Sequence, residues 1–179
     1  MSGGVRLPYR NHLPTVSPDA FVAANATLIG QVEIGARANI WFGCVLRADL
    51  AAIHVGALTN VQDGTVVHVS SVRNGDTWIG ERVTIGHMAL IHACRLEDHS
   101  FVGMKACVMD GAVVETGAWI AAGAVVTPGK ARQIRRALGR HPRALPSPCD
   151  RGGDALHRNV ARALRRAGGA VSVTTPLAE

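Results

Sequence analysis

The stretch VTIGHMALIHAC, residues 83–94, sets His87 and His92 five apart in an apolar run punctuated by glycine. On a helix, histidines that share a metal favour the i, i+4 spacing, and a step of five turns the second ring off the first one's face. The spacing acquires meaning only from the repeat around it. Aliphatic residues return every six positions: Val22, Leu28, Ile34, Ile40, Leu46; then Val55, Val61, Val67; then Ile79, Ile85, Ile91; then Leu96, Val102, Val108, Val114, Ile120, Val126. Period six suits neither an amphipathic helix nor an alternating strand. It suits a coil of three short flat faces, with roughly 18 residues to a turn. One small aliphatic per face fills the interior, and small residues between them permit tight corners. A β-sandwich would instead need turn signals about every 8–12 residues. The pattern predicts an all-β solenoid, a parallel β-helix of hexapeptide repeats, over residues 1–129.

The interruptions carry as much information as the repeat. Nine residues separate Leu46 from Val55, so about three bulge outward. Twelve separate Val67 from Ile79, and the second half of that interval, RNGDTW (73–78), holds a turn signal and no aliphatic to point inward. It reads as an extruded loop. Ile91 to Leu96 is a step of only five, which the repeat does not explain.

With the bulges removed, Leu28, Leu46, Val67, Ile91, Val108 and Val126 fall on one face. The residue after each aliphatic points outward, which stacks Arg47, His68 and His92 in successive coils. Neighbouring coils lie about 4.8 Å apart, so the two imidazoles can reach one ion at about 2.1 Å each. His87 follows Ile85 by two and belongs to the preceding face, so the step to His92 crosses a corner and the rings diverge. Within one chain His87 is excluded from that ion. A copy related by a three-fold axis can supply it, which predicts a metal site shared between subunits of a trimer. Cys94, two residues past His92, is either a further ligand on the same side or small filler.

Composition narrows the partners. The net charge of +6 is unevenly spread: residues 1–129 carry 8 Lys/Arg against 10 Asp/Glu, whereas residues 130–179 carry 11 against 3. The basic tail has no aromatic residue to stack on bases and matches no recognition motif, so nucleic acid is not an expected partner. No apolar run approaches membrane-spanning length, and the start MSGGVRLPYRNHLP lacks the hydrophobic core of a signal peptide. Four scattered cysteines form no C-x-x-C. A reduced, cytoplasmic protein is expected. In the tail, Asp154 as N-cap, the stripe Leu156, Val160, Leu164 and a stop at Gly168 predict an α-helix at about 155–167.

Several stretches together resemble the gamma-class carbonic anhydrases and their hexapeptide-repeat relatives: NIWFGCVLRADL (39–50), TNVQDGTVVHV (59–69), TIGHMALIHAC (84–94) and VGMKACVMDGAVVETGAWIAAGAVVTPGK (102–130). The resemblance covers about residues 10–130. It implies a left-handed coil and a homotrimer. It also implies zinc, with iron or cobalt as alternatives, held by His68 and His92 of one subunit and His87 of the next. Arg47 and Asp49 resemble the family's R-x-D pair, linked to subunit contacts. Asn60, Gln62 and Asp63 resemble its N-x-Q-D, in which the amides orient water and substrate and the aspartate pairs with the arginine across the interface. The implied activity is metal-assisted hydration of carbon dioxide to bicarbonate. Three neutral imidazoles leave a valence for water, whose pKa the ion lowers to about 7. The glutamates that export protons in efficient members are absent: Leu50 stands in one place and SSVRNGD in the other, leaving Asp76 or buffer to carry the proton. Weak turnover is the expected consequence. Two other functions suit parts of the chain: a thioester-dependent acyltransferase, although RNGDTW lacks a catalytic histidine, and a non-catalytic metal-bearing scaffold.

Overall fold

The computed structural model describes residues 3–128, which form short parallel strands and no helix. The chain winds as a left-handed parallel β-helix with three faces. One face stacks Phe21–Val22, Asn39–Ile40, Asn60–Val61, Thr84–Ile85, Phe101–Val102 and Trp119–Ile120. On the next face, Leu28, Leu46, Val67, Ile91, Val108 and Val126 occupy matching register positions in successive coils. The third carries Ile34, Val55, Ile79, Leu96 and Val114 in the same manner. The expected helix at about 155–167 and the basic segment 130–179 lie outside the described residues.

The interior is built almost wholly from those aliphatics. Leu28, Leu46, Val67, Ile91 and Val108 have no exposed surface, and burying each side chain is worth about 1.5–3 kcal/mol. Ala26, Cys44, Thr65, Ala89 and Ala106 fill the adjoining corner, where a larger side chain would push the faces apart. The corner between the first two faces turns through a residue of positive φ. Gly43 and Gly64 take that position in two coils, and Met88 and Lys105 take it in the next two. The left-handed conformation is required by the bend, and the side chain, where there is one, points outward.

All three interruptions are accommodated locally. In the strand Val45–Val55, Ala48 pairs with Gly30 and Ile53 pairs with Val32, so residues 49–52 bulge against Gln31 alone. The longer insertion extrudes between the strands Val66–His68 and Thr77–Ile79. The extrusion is shorter than expected. Thr77 and Trp78 belong to the second strand, with the Thr77 side chain buried and its hydroxyl donating to the His68 carbonyl at 2.5 Å. A polar residue thus sits inward because the backbone beside it supplies the acceptor. The five-residue step is taken up at Ala93, whose φ of 45° turns the chain one residue early. Its amide donates to the His68 carbonyl at 3.1 Å.

Candidate metal centre

Arg47, His68 and His92 are register partners across three coils, each following a fully buried aliphatic, so alternation turns all three outward. His68 Nδ1 lies 3.1 Å from His92 Nε2, with ring centroids 5.1 Å apart. Two ligands at about 2.1 Å in a tetrahedral site would sit roughly 3.4 Å from one another. The facing nitrogens are therefore spaced as two ligands of one ion. His87 stands apart at the corner after Ile85, its Nδ1 3.0 Å from Asp63 Oδ2. Among the described residues, no three donors of one chain gather into a metal-holding group.

Each histidine is held by a carboxylate. His68 Nε2 is 2.9 Å from Asp49 Oδ1, His87 pairs with Asp63, and His92 Nδ1 is 2.9 Å from Asp110 Oδ2. Such a partner orients a ligand ring and fixes its tautomer, which leaves the opposite nitrogen with a lone pair. For His87 and His92 that nitrogen is Nε2, and for His68 it is Nδ1. Two facing imidazoles, each backed by a carboxylate, are donors that fit a zinc-like ion, and His87 with Asp63 presents a third such unit at the corner.

The bulge supplies Asp49. Arg47 donates to its second oxygen, Oδ2. Burial works to raise the Asp49 carboxyl, but the hydrogen bond from His68, a contact with its own backbone and the Arg47 charge outweigh it, holding the group below its ordinary value of 3.8. The expected Arg47–Asp63 pairing is intersubunit; within one chain Arg47 binds Asp49 and Asp63 binds His87. Gln62 follows buried Val61, and its backbone NH donates to Ile85 O at 2.9 Å. Asn60 is buried, its amide donating to Asn39 Oδ1, which also accepts from the Trp41 indole at 2.9 Å. Cys94 turns inward, where burial pushes its thiol up to about 12; it is filler, not a donor. Asp76 accepts from the Ala52 amide at 2.7 Å.

Asp110 escaped the sequence reading. It lies 18 positions past His92 and two past Val108, so only the stacking of one coil on the next brings it to the ring. The M-D-G corner following an inward valine was the available signal.

No family model matches the chain. Gamma carbonic anhydrase 2, mitochondrial, of Arabidopsis thaliana is 50% identical over 117 residues, covering 63% of this chain and 42% of the relative. The chain thus spans less than half that relative's length. Carnitine operon protein CaiE of Escherichia coli is 38% identical over 146 residues, 81% of this chain and 72% of the relative. Among solved structures, a hexapeptide transferase family protein from Anaplasma phagocytophilum superposes with a TM-score of 0.70 at 41% identity, covering 93% of this chain and 98% of that one. With the coil and these likenesses together, the chain belongs to the hexapeptide-repeat family of left-handed β-helices, and over the matched stretch it is similar to gamma carbonic anhydrases.

Proposed function

We propose that the chain is a carbonic anhydrase-like lyase that hydrates carbon dioxide to bicarbonate at a metal shared between subunits of a homotrimer. The observation that carries this reading is the His68–His92 pair, spaced for one ion while His87 faces away within the chain. Zinc is the metal favoured by three imidazoles, with iron or cobalt as the alternatives. When bound, the ion supplies the Lewis acidity that brings a water's pKa down to about 7.

An assembly is supported by the surface around the pair. On the same outward side, Val66, Leu90 and Val125 are 40%, 39% and 59% exposed in the isolated chain, in a column with Val45 and Cys107. An apolar column beside two ligands is what a subunit interface would cover. A neighbour seated there brings its own His87 corner toward the pair.

The chain's own groups then have distinct tasks. Asp49, Asp63 and Asp110 orient the three rings. Gln62, by its side-chain oxygen, accepts a hydrogen bond from the attacking water and fixes its lone pair toward the substrate carbon. Val66 and Leu90 exclude bulk water from the interface. The proton released has no adjacent glutamate to receive it, because exposed Leu50 stands on the bulge beside Asp49. Turnover is then limited by proton export and rises with buffer concentration.

The test is hydration by anaerobically purified, zinc-loaded protein. A rate above buffer that disappears in His92→Ala supports the reading. Full metal content with no rate leaves a metal-bearing scaffold, and heat protection by acetyl-coenzyme A without bound metal would favour the transferase chemistry named for the Anaplasma relative.

A further inference from the structure

The two insertions of the coil meet. The strand Val45–Val55 pairs with Val66–His68 along its first half and with Thr77–Ile79 along its second. Its bulge at 49–52 therefore faces the 70–76 extrusion on the next coil. The extrusion is closed by the Ser70 amide donating to the Gly75 carbonyl at 2.8 Å, with Asn74 in the left-handed region at φ 61°. A Cβ on Gly75 would lie 2.0 Å from the Ser70 oxygen, so glycine is required there. This closure delivers the next residue, Asp76, to the Ala52 amide at 2.7 Å.

We infer that Asp76 is a positioning residue for His68, acting through the bulge. Its carboxylate pins the C-terminal end of the bulge at Ala52; Asp49 at the other end grips His68 Nε2 at 2.9 Å. Thr77, the residue after Asp76, holds the His68 carbonyl. The backbone of His68 is thus held by Thr77, and its ring, through Asp49 and the bulge, by Asp76, the residue before it. The alternative task for Asp76, proton export, competes with this one, since its Oδ1 is already committed to a backbone donor. Releasing Asp76 frees the bulge, lets Asp49 swing from the ring, and leaves His68 to sample both tautomers. The consequence for metal affinity rests on the proposed function; the ring's tautomer does not.

The experiment compares full-length wild type, D76A and D76N. In metal-free protein, ring-nitrogen NMR should show wild-type His68 protonated at Nε2, D76A averaged between tautomers, and D76N close to wild type, because the amide oxygen still accepts from Ala52. Zinc affinity should fall about tenfold in D76A and return in D76N. Adding D76A to D49A should cost no further affinity, since both act through one contact. Should D76A fail to fold, D76E, whose longer arm displaces the carboxylate, should give the same changes in smaller degree. Wild-type His68 signals in D76A, or in D76E, would overturn the inference. Loss of zinc binding by the wild type itself would instead sink the proposed function and leave the tautomer comparison decisive for Asp76.

Discussion

Asp110 Oδ2 lies 2.9 Å from His92 Nδ1, one coil away, so the carboxylate accepts a hydrogen bond from the ring N–H and turns Nε2 toward His68. Carboxylate partners of ligand histidines typically carry a 10–100-fold effect on metal affinity, or about that order. Asp110→Ala should weaken zinc binding by roughly tenfold or more, read by competition with a chelator, while the assembly's mass in solution stays unchanged. Wild-type affinity would remove Asp110 from the site.

Leu90 and Ile91 are neighbours with opposite fates, one outward beside His92 and one wholly buried. Ile91→Ala opens a cavity in the prism and should cost about 2–5 kcal/mol in chemical denaturation. Leu90→Glu should leave the coil's secondary structure intact yet convert the assembly to monomers by light scattering, with metal lost in step. A Leu90→Glu trimer would contradict the placement of the interface on this face.

Two thiols make the fold sensitive to alkali. Burial pushes Cys44 up to about 11 and Cys94 up to about 12, from the ordinary 9.0. Both are acids kept neutral by the fold, so their contribution is fully present below the unfolded value and is lost as pH rises through the folded ones. Unfolding free energy should therefore decline from about pH 9 toward 12. Replacing both by alanine should flatten that decline. The same burial should keep both thiols inert to alkylating reagents at pH 8, where the unfolded chain reacts readily. Rapid labelling of Cys44 or Cys94 in the native protein, located by peptide mass, would count against the burial of these corners.

Much of this architecture is legible in the chain because so little can fill a narrow prism. A small aliphatic every sixth position is nearly the whole interior, so the spacing from Leu28 to Val126 sets both the face and the register that stacks His68 on His92. The excess between Leu46 and Val55 likewise counts out the bulge carrying Asp49. What period counting cannot carry is a partner chosen by backbone geometry. Thr77 reads as loop because it is polar, yet a carbonyl beside it satisfies its hydroxyl inside. The short step after Ile91 depends on a left-handed alanine, which no side-chain pattern announces. Asp110 and Asp76 act through atoms a full coil or an insertion away, visible only once the coils are stacked.

The shared site is tested most directly by mixing two defective proteins. His87→Ala keeps the pair but cannot complete a neighbour; His92→Ala keeps the corner histidine but has no pair. Each alone should hold little or no zinc. After co-refolding, an interface where intact His87 meets an intact pair is whole again, so every mixed trimer should regain one metal. Bound zinc in pure His87→Ala at the wild-type level, or no recovery in the mixture while wild type binds metal, would contradict a centre assembled between subunits.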